Sequence, residues 1–114
     1  MSSVAKIMVD IQTLQNEIVE RLKPLKPDKI ILFGSYAHGA PTDDSDIDLF
    51  IVKQKPLSEK TDFEVDAMLR LRGLTQQYHI GFDILSASQA FLESRQDYFY
   101  KVDVLQNGKV IYGE

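Results

Sequence analysis

A chain of 114 residues, 44% apolar and 26% charged, has the size and make-up of one globular domain, so residues 1–114 are read as a single domain. Its formal net charge of −4 disfavours a long polyanionic partner, and nucleic acid is set aside on that ground. It has no cysteine, which excludes disulfides and thiolate metal sites, and no run near the roughly 20 apolar residues that a bilayer crossing needs.

The N-terminal stretch Met1-Ser2-Ser3-Val4-Ala5-Lys6 lacks the apolar run of a signal peptide, and the chain reads as soluble and cytoplasmic. Val4, Ile7, Met8, Ile11, Leu14, Ile18 and Leu22 recur at spacings of three and four, which predicts an amphipathic helix over Val4 to Leu22. Pro24 and Pro27 end it. Lys29–Phe33 is nearly continuous apolar sequence closed by Gly34 and predicts a buried strand. Residues 40–45 predict a polar loop, Ile47–Val52 a second strand, and Lys53–Lys60, with Pro56, another loop. Thr61-Asp62-Phe63-Glu64 has capping-box spacing. The helix expected to follow, from Asp62 to Gln77, has Val65, Met68, Leu69 and Leu74 among its inner residues. Ile80–Leu85 predicts a third strand, Ser86 opens a short helix to Ser94, and Tyr98–Gln106 forms a last one. Asn107-Gly108 is a turn or C-cap signal, after which Val110–Tyr112 adds a short edge strand. The order α-β-β-α-β-α-α implies an α/β (α+β) fold, a small mixed sheet of three to four strands flanked by helices.

Chemistry concentrates at the strand entrances. Asp46 and Asp48 stand two apart, so in extended backbone they project together while Ile47, Leu49 and Ile51 point the other way. Like charges that close are unfavourable unless a cation lies between them, and hard carboxylate oxygens suit Mg²⁺. The plain alternative is a solvated strand entrance whose charges discourage edge pairing. Asp43 and Asp44 are read as solvated loop residues. Asp83, inside the otherwise apolar Phe82-Asp83-Ile84-Leu85, either turns to solvent or completes a three-carboxylate site with the first pair. Gly34-Ser35 follows a strand and opens a turn, where glycine lets a phosphate approach free backbone amides. Alone, that dipeptide is an ordinary turn signal.

Taken together, Gly34-Ser35, ten intervening residues and Asp46-Ile47-Asp48 resemble the signature of nucleotidyltransferases related to DNA polymerase beta. The run Gly34-Ser35-Tyr36-Ala37-His38-Gly39 and the later Phe82-Asp83-Ile84 resemble its minimal branch, the MNT proteins often found as antitoxins in HEPN/MNT toxin–antitoxin modules. The motifs cover Lys29 to Leu85, and the flanking helices fit in length. Minimal members often carry arginine where this chain has His38. The resemblance implies the nucleotidyltransferase fold and Mg²⁺-dependent transfer of a nucleoside monophosphate, AMP from ATP by preference, to a hydroxyl of a partner protein. It assigns Gly34 and Ser35 to the β- and γ-phosphates. Asp46 and Asp48 would bind two Mg²⁺ ions, and Asp83 would ligate the catalytic one and help take the proton from the attacking hydroxyl. The implied partners are an NTP and a HEPN-domain toxin, with a homo-oligomer as a further option.

Two other readings stay open: a catalytically silent antitoxin that neutralises its partner by binding, and a homodimeric small-molecule nucleotidyltransferase. Phe91, Tyr98, Phe99 and Tyr100 are candidates for a partner interface or for core packing. Tyr36, Tyr78 and His79 are candidates for contact with a base or for ordinary structural positions.

Overall fold

The computed structural model describes residues 11–39, 46–54 and 63–113. The helix turns expected before Ile11, the 40–45 loop with Asp43 and Asp44, and the Thr61-Asp62 half of the capping box lie outside the described residues. Strands β1 (Lys29–Phe33), β2 (Ile47–Val52), β3 (Phe82–Ala87) and β4 (Lys109–Tyr112) form one sheet in the order β3-β2-β1-β4. β1 is antiparallel to both β2 and β4, whereas β2 and β3 run parallel, so the sheet is mixed as predicted. Position in the sheet explains the sequence pattern. β1 and β2 are central and covered over most of both faces, hence their nearly continuous apolar runs, broken in β2 only by Asp48; β3 is an edge strand and alternates.

Helices α1 (Ile11–Leu22) and α3 (Phe63–Tyr78) cover one face. Leu14, Ile18 and Leu22 of α1, with Phe63, Ala67, Leu71 and Leu74 of α3, pack on Ile30 and Leu32, Ile47, Leu49 and Ile51, and Phe82 and Ile84. Two polar contacts tie these helices together. Arg70 Nε donates to the Arg21 carbonyl at 2.7 Å, and Tyr78 Oη donates to Glu17 Oε2 at 2.7 Å. α1 stops at Leu22, where Pro24 enters a single 3₁₀ turn, Lys23–Leu25, and Lys26 reverses the chain at φ 56°.

The opposite face carries a smaller core of Ile31, Phe33, Phe50 and Val52 from the sheet. Leu92 of α4 (Gln89–Ser94) and Val104 of a wide-wound π-helix (Phe99–Gln106) close over it. A four-residue helix, α2 (Ser35–His38), follows β1 directly.

Four expectations are corrected. On α3 the inner residues are Phe63, Ala67, Leu71 and Leu74; Val65, Met68 and Leu69 face outward, 52%, 42% and 58% exposed. Both sets recur at three- and four-residue spacings, and the set that includes the phenylalanine took the sheet. The third strand begins at Phe82, because His79 turns the chain at φ 56°, and it continues to Ala87. It continues because β2 offers partners as far as Val52, which pairs with Ala87. The next helix is therefore capped by Ser88, whose Oγ accepts from Phe91 N–H at 3.1 Å, while Ser86 Oγ donates to Glu64 Oε2. The last helix starts at Phe99, one residue later than expected, and is π-wound.

Candidate active site

Strand register builds the site. Asp48 pairs with Phe33 on one side and Asp83 on the other, so Phe33, Asp48 and Asp83 form a row across three strands. The row lies on the face of the smaller core, since Ile47, Leu49, Phe82 and Ile84 point to the other. The next row along the same face is Ile31, Phe50 and Leu85. Apolar side chains thus give way to carboxylates where β2 begins. The aromatic cover follows the apolar part: Phe99 meets Phe33 edge-on at 5.5 Å, and Tyr100 meets Phe50 at 5.9 Å. Asp48 is half-buried, and Asp83 and Asp46 are exposed.

Two glycines receive these carboxylates. At the end of β1, Gly34 turns the chain at φ 77° and ψ −157°, a conformation that L side chains rarely adopt. Its carbonyl accepts from Ala37 N–H at 3.0 Å, closing the turn on which Ser35 stands. The position a Gly34 Cβ would occupy is already filled by Asp48 Oδ2. Glycine at 34 therefore does two things: it permits the turn, and it admits the Asp48 carboxylate against the backbone. Asp46 lies one residue before β2. Ile47 N–H donates to the Gly81 carbonyl at 2.9 Å, and the Asp46 carboxylate rests where a Gly81 Cβ would stand.

Burial raises the Asp48 carboxyl above its ordinary range, and the charges of Asp83 and then Asp46 push it further the same way. The three predicted carboxylates are thus electrostatic neighbours at one end of the sheet. They do not form a closed cage: among the described residues no group of three or more metal-ligating side chains stands ready to hold an ion. The donor set, all hard carboxylate oxygen, is of the kind Mg²⁺ takes.

The other candidates separate. Tyr78 is bonded to Glu17 and packs, like Tyr36, against the larger core. His79 is an exposed turn residue, and the His38 side chain lies outside the described ones. Phe99 and Tyr100 pack on the smaller core, whereas Phe91 and Tyr98 remain exposed, Tyr98 at 71%. Gly81 was not singled out by the sequence. The signal available was only its place two residues before Asp83, since nothing in a lone glycine announces which side chain will lie on it.

The family model described as polymerase beta, nucleotidyltransferase, matches residues 16–114. A protein of Methanocaldococcus jannaschii, named as a protein adenylyltransferase, is 32% identical over 84 residues, covering 74% of this chain and 77% of its own. A crystal structure of a toxin–antitoxin with AMP-PNP superposes with a TM-score of 0.61 at 24% identity, over 88% of this chain and 73% of that one. A mutant MntA–HpeT toxin–antitoxin superposes with a TM-score of 0.59 at 20% identity, over the same shares. At such identities the two superpositions establish a shared fold.

Proposed function

The chain belongs to the polymerase beta nucleotidyltransferase family and is a nucleotidyltransferase, and from that premise we propose that it transfers AMP from ATP to a hydroxyl of a partner protein. In this reading the partner is a HEPN-domain toxin, the chain is its antitoxin, and the reaction runs in the cytoplasm. Support for a protein acceptor comes from the name of the Methanocaldococcus jannaschii relative. Support for a toxin, and for an adenine nucleotide, comes from the toxin–antitoxin with AMP-PNP. The observation that carries the chemistry is the Asp48–Asp83 pair, in register on adjacent strands beside the Gly34-Ser35 turn.

Asp46, Asp48 and Asp83 would hold two Mg²⁺ ions together with the nucleotide. Bound there, the ions supply charge neutralisation at the entering and leaving oxygens of an in-line displacement. The Asp48 carboxyl is raised first by burial and then by the charges of Asp83 and Asp46, and a bound dication would offset the latter. Gly34 and Ser35 hold the β- and γ-phosphates through backbone amides and the Ser35 hydroxyl. Asp83 is exposed on the edge strand, where an incoming hydroxyl has access, and it accepts that hydroxyl's proton. The acceptor oxygen bonds to the α-phosphorus, the α–β bridging P–O bond breaks, and pyrophosphate leaves.

The test is to incubate the chain with α-labelled ATP, Mg²⁺ and a HEPN-domain toxin encoded beside it. Label on the toxin, with release of pyrophosphate, is the expected outcome. A tight complex carrying no label would establish the silent antitoxin instead, and label on a small metabolite without any protein partner would establish the homodimeric small-molecule enzyme.

A further inference from the structure

Gly81 is a glycine without a backbone reason. Its φ lies outside the left-handed region, so any L residue fits its conformation. The other crowded glycines answer to the main chain. A Cβ at Gly108 would strike the Val104 carbonyl, one at Gly113 the Asp28 carbonyl, and Gly34 has a positive φ. At Gly81 the three nearest atoms all belong to one carboxyl group: Asp46 Oδ1 at 2.6 Å, Cγ at 3.1 Å and Oδ2 at 3.6 Å. The backbone beside this contact is fixed, because Ile47 N–H bonds the Gly81 carbonyl and Ile47 pairs with Phe82.

We infer that Gly81 is a positioning residue: by leaving its Cβ position empty it seats the Asp46 carboxylate at the sheet end that carries Asp48 and Asp83, from which it would close on a dication. The inference rests on the proposed metal role of Asp46. A methyl group at 81 requires the carboxylate to leave its seat. Asp46 is exposed, so its side chain swings away at little cost to the fold. Function and stability therefore come apart at this position.

Four proteins test it: wild type, Gly81→Ala, Asp46→Ala and the double variant, titrated with Mn²⁺ in the presence of AMP-PNP and melted in EDTA. Gly81→Ala should weaken Mn²⁺ binding about tenfold, in the range found when groups that orient a metal ligand are altered. Its melting temperature in EDTA should stay within about 2 °C of wild type, since replacing a glycine whose φ is not left-handed also restricts the unfolded chain. In the double variant the alanine should add nothing to the loss caused by Asp46→Ala, because its only target is gone. Wild-type Mn²⁺ affinity in Gly81→Ala, losses that multiply in the double variant, or a large fall in melting temperature would each overturn the assignment. If Asp46→Ala itself binds Mn²⁺ as wild type does, the metal role of Asp46 fails first and the seat with it.

Discussion

The two faces of the sheet are finished differently. The face under α1 and α3 is covered from end to end, with Leu14, Ile18, Leu71 and Leu74 fully excluded from water and hydrogen bonds joining the two helices. The other face is closed by the six-residue α4 and the π-helix, and that cover stops beside Phe33. Beyond it the same pleat presents Asp48 and Asp83. The difference separates the two demands on the sequence: one face holds the domain together, and the other trades cover for a charged opening. Substitutions on the first should lower stability and leave chemistry alone; substitutions at the open end of the second should remove chemistry without destabilising the fold.

The largest effect is expected at the opening. Asp83→Asn should lower AMP transfer about 10³-fold or more, roughly 4 kcal/mol of transition-state stabilisation, with an unchanged circular dichroism spectrum. Next comes the covered face, where Leu71→Ala should cost about 2–5 kcal/mol in urea denaturation while the folded fraction keeps its turnover. A smaller effect belongs to the thin cover: Ser88→Ala removes the cap of α4 and should cost about 1 kcal/mol, read by the same denaturation. Should Leu71→Ala abolish turnover of the folded protein, or Asp83→Asn unfold it, the division between faces would not hold.

How far the sequence disclosed this arrangement follows from the same contrast. The strands were legible because β1 and β2 are buried on both sides and write that as nearly continuous apolar runs, and Asp48 facing Asp83 could be anticipated once two acidic residues interrupted neighbouring strands. The inner side of α3 was not legible. Val65, Met68 and Leu69 have helical spacing too, and only the docked geometry shows that Phe63, Ala67, Leu71 and Leu74 hold the sheet. The end of β3 was missed because pairing with β2, a tertiary effect, overrides the local helix-start signal at Ser86. Gly81 was missed because its meaning lies in Asp46, 35 residues away along the chain.

The central claim is that ionising Asp48, half-buried and beside Asp83 and Asp46, costs the folded protein stability until a dication is bound. The direction follows from a folded-state carboxyl raised above the ordinary 3.8: the native state holds that proton more tightly, so the penalty is absent at pH below 3.8, builds between that value and the raised one, and is complete above it. The measurement is the melting temperature of wild type and Asp48→Asn between pH 4 and 7.5, with EDTA and with Mn²⁺ plus AMP-PNP. In EDTA near pH 7, Asp48→Asn should melt about 1–3 °C above wild type, the gap closing toward pH 4, and the added dication and nucleotide should raise wild type much more than the variant. A wild type that melts at or above Asp48→Asn at neutral pH without metal, or an equal rise in both proteins with it, would contradict the account.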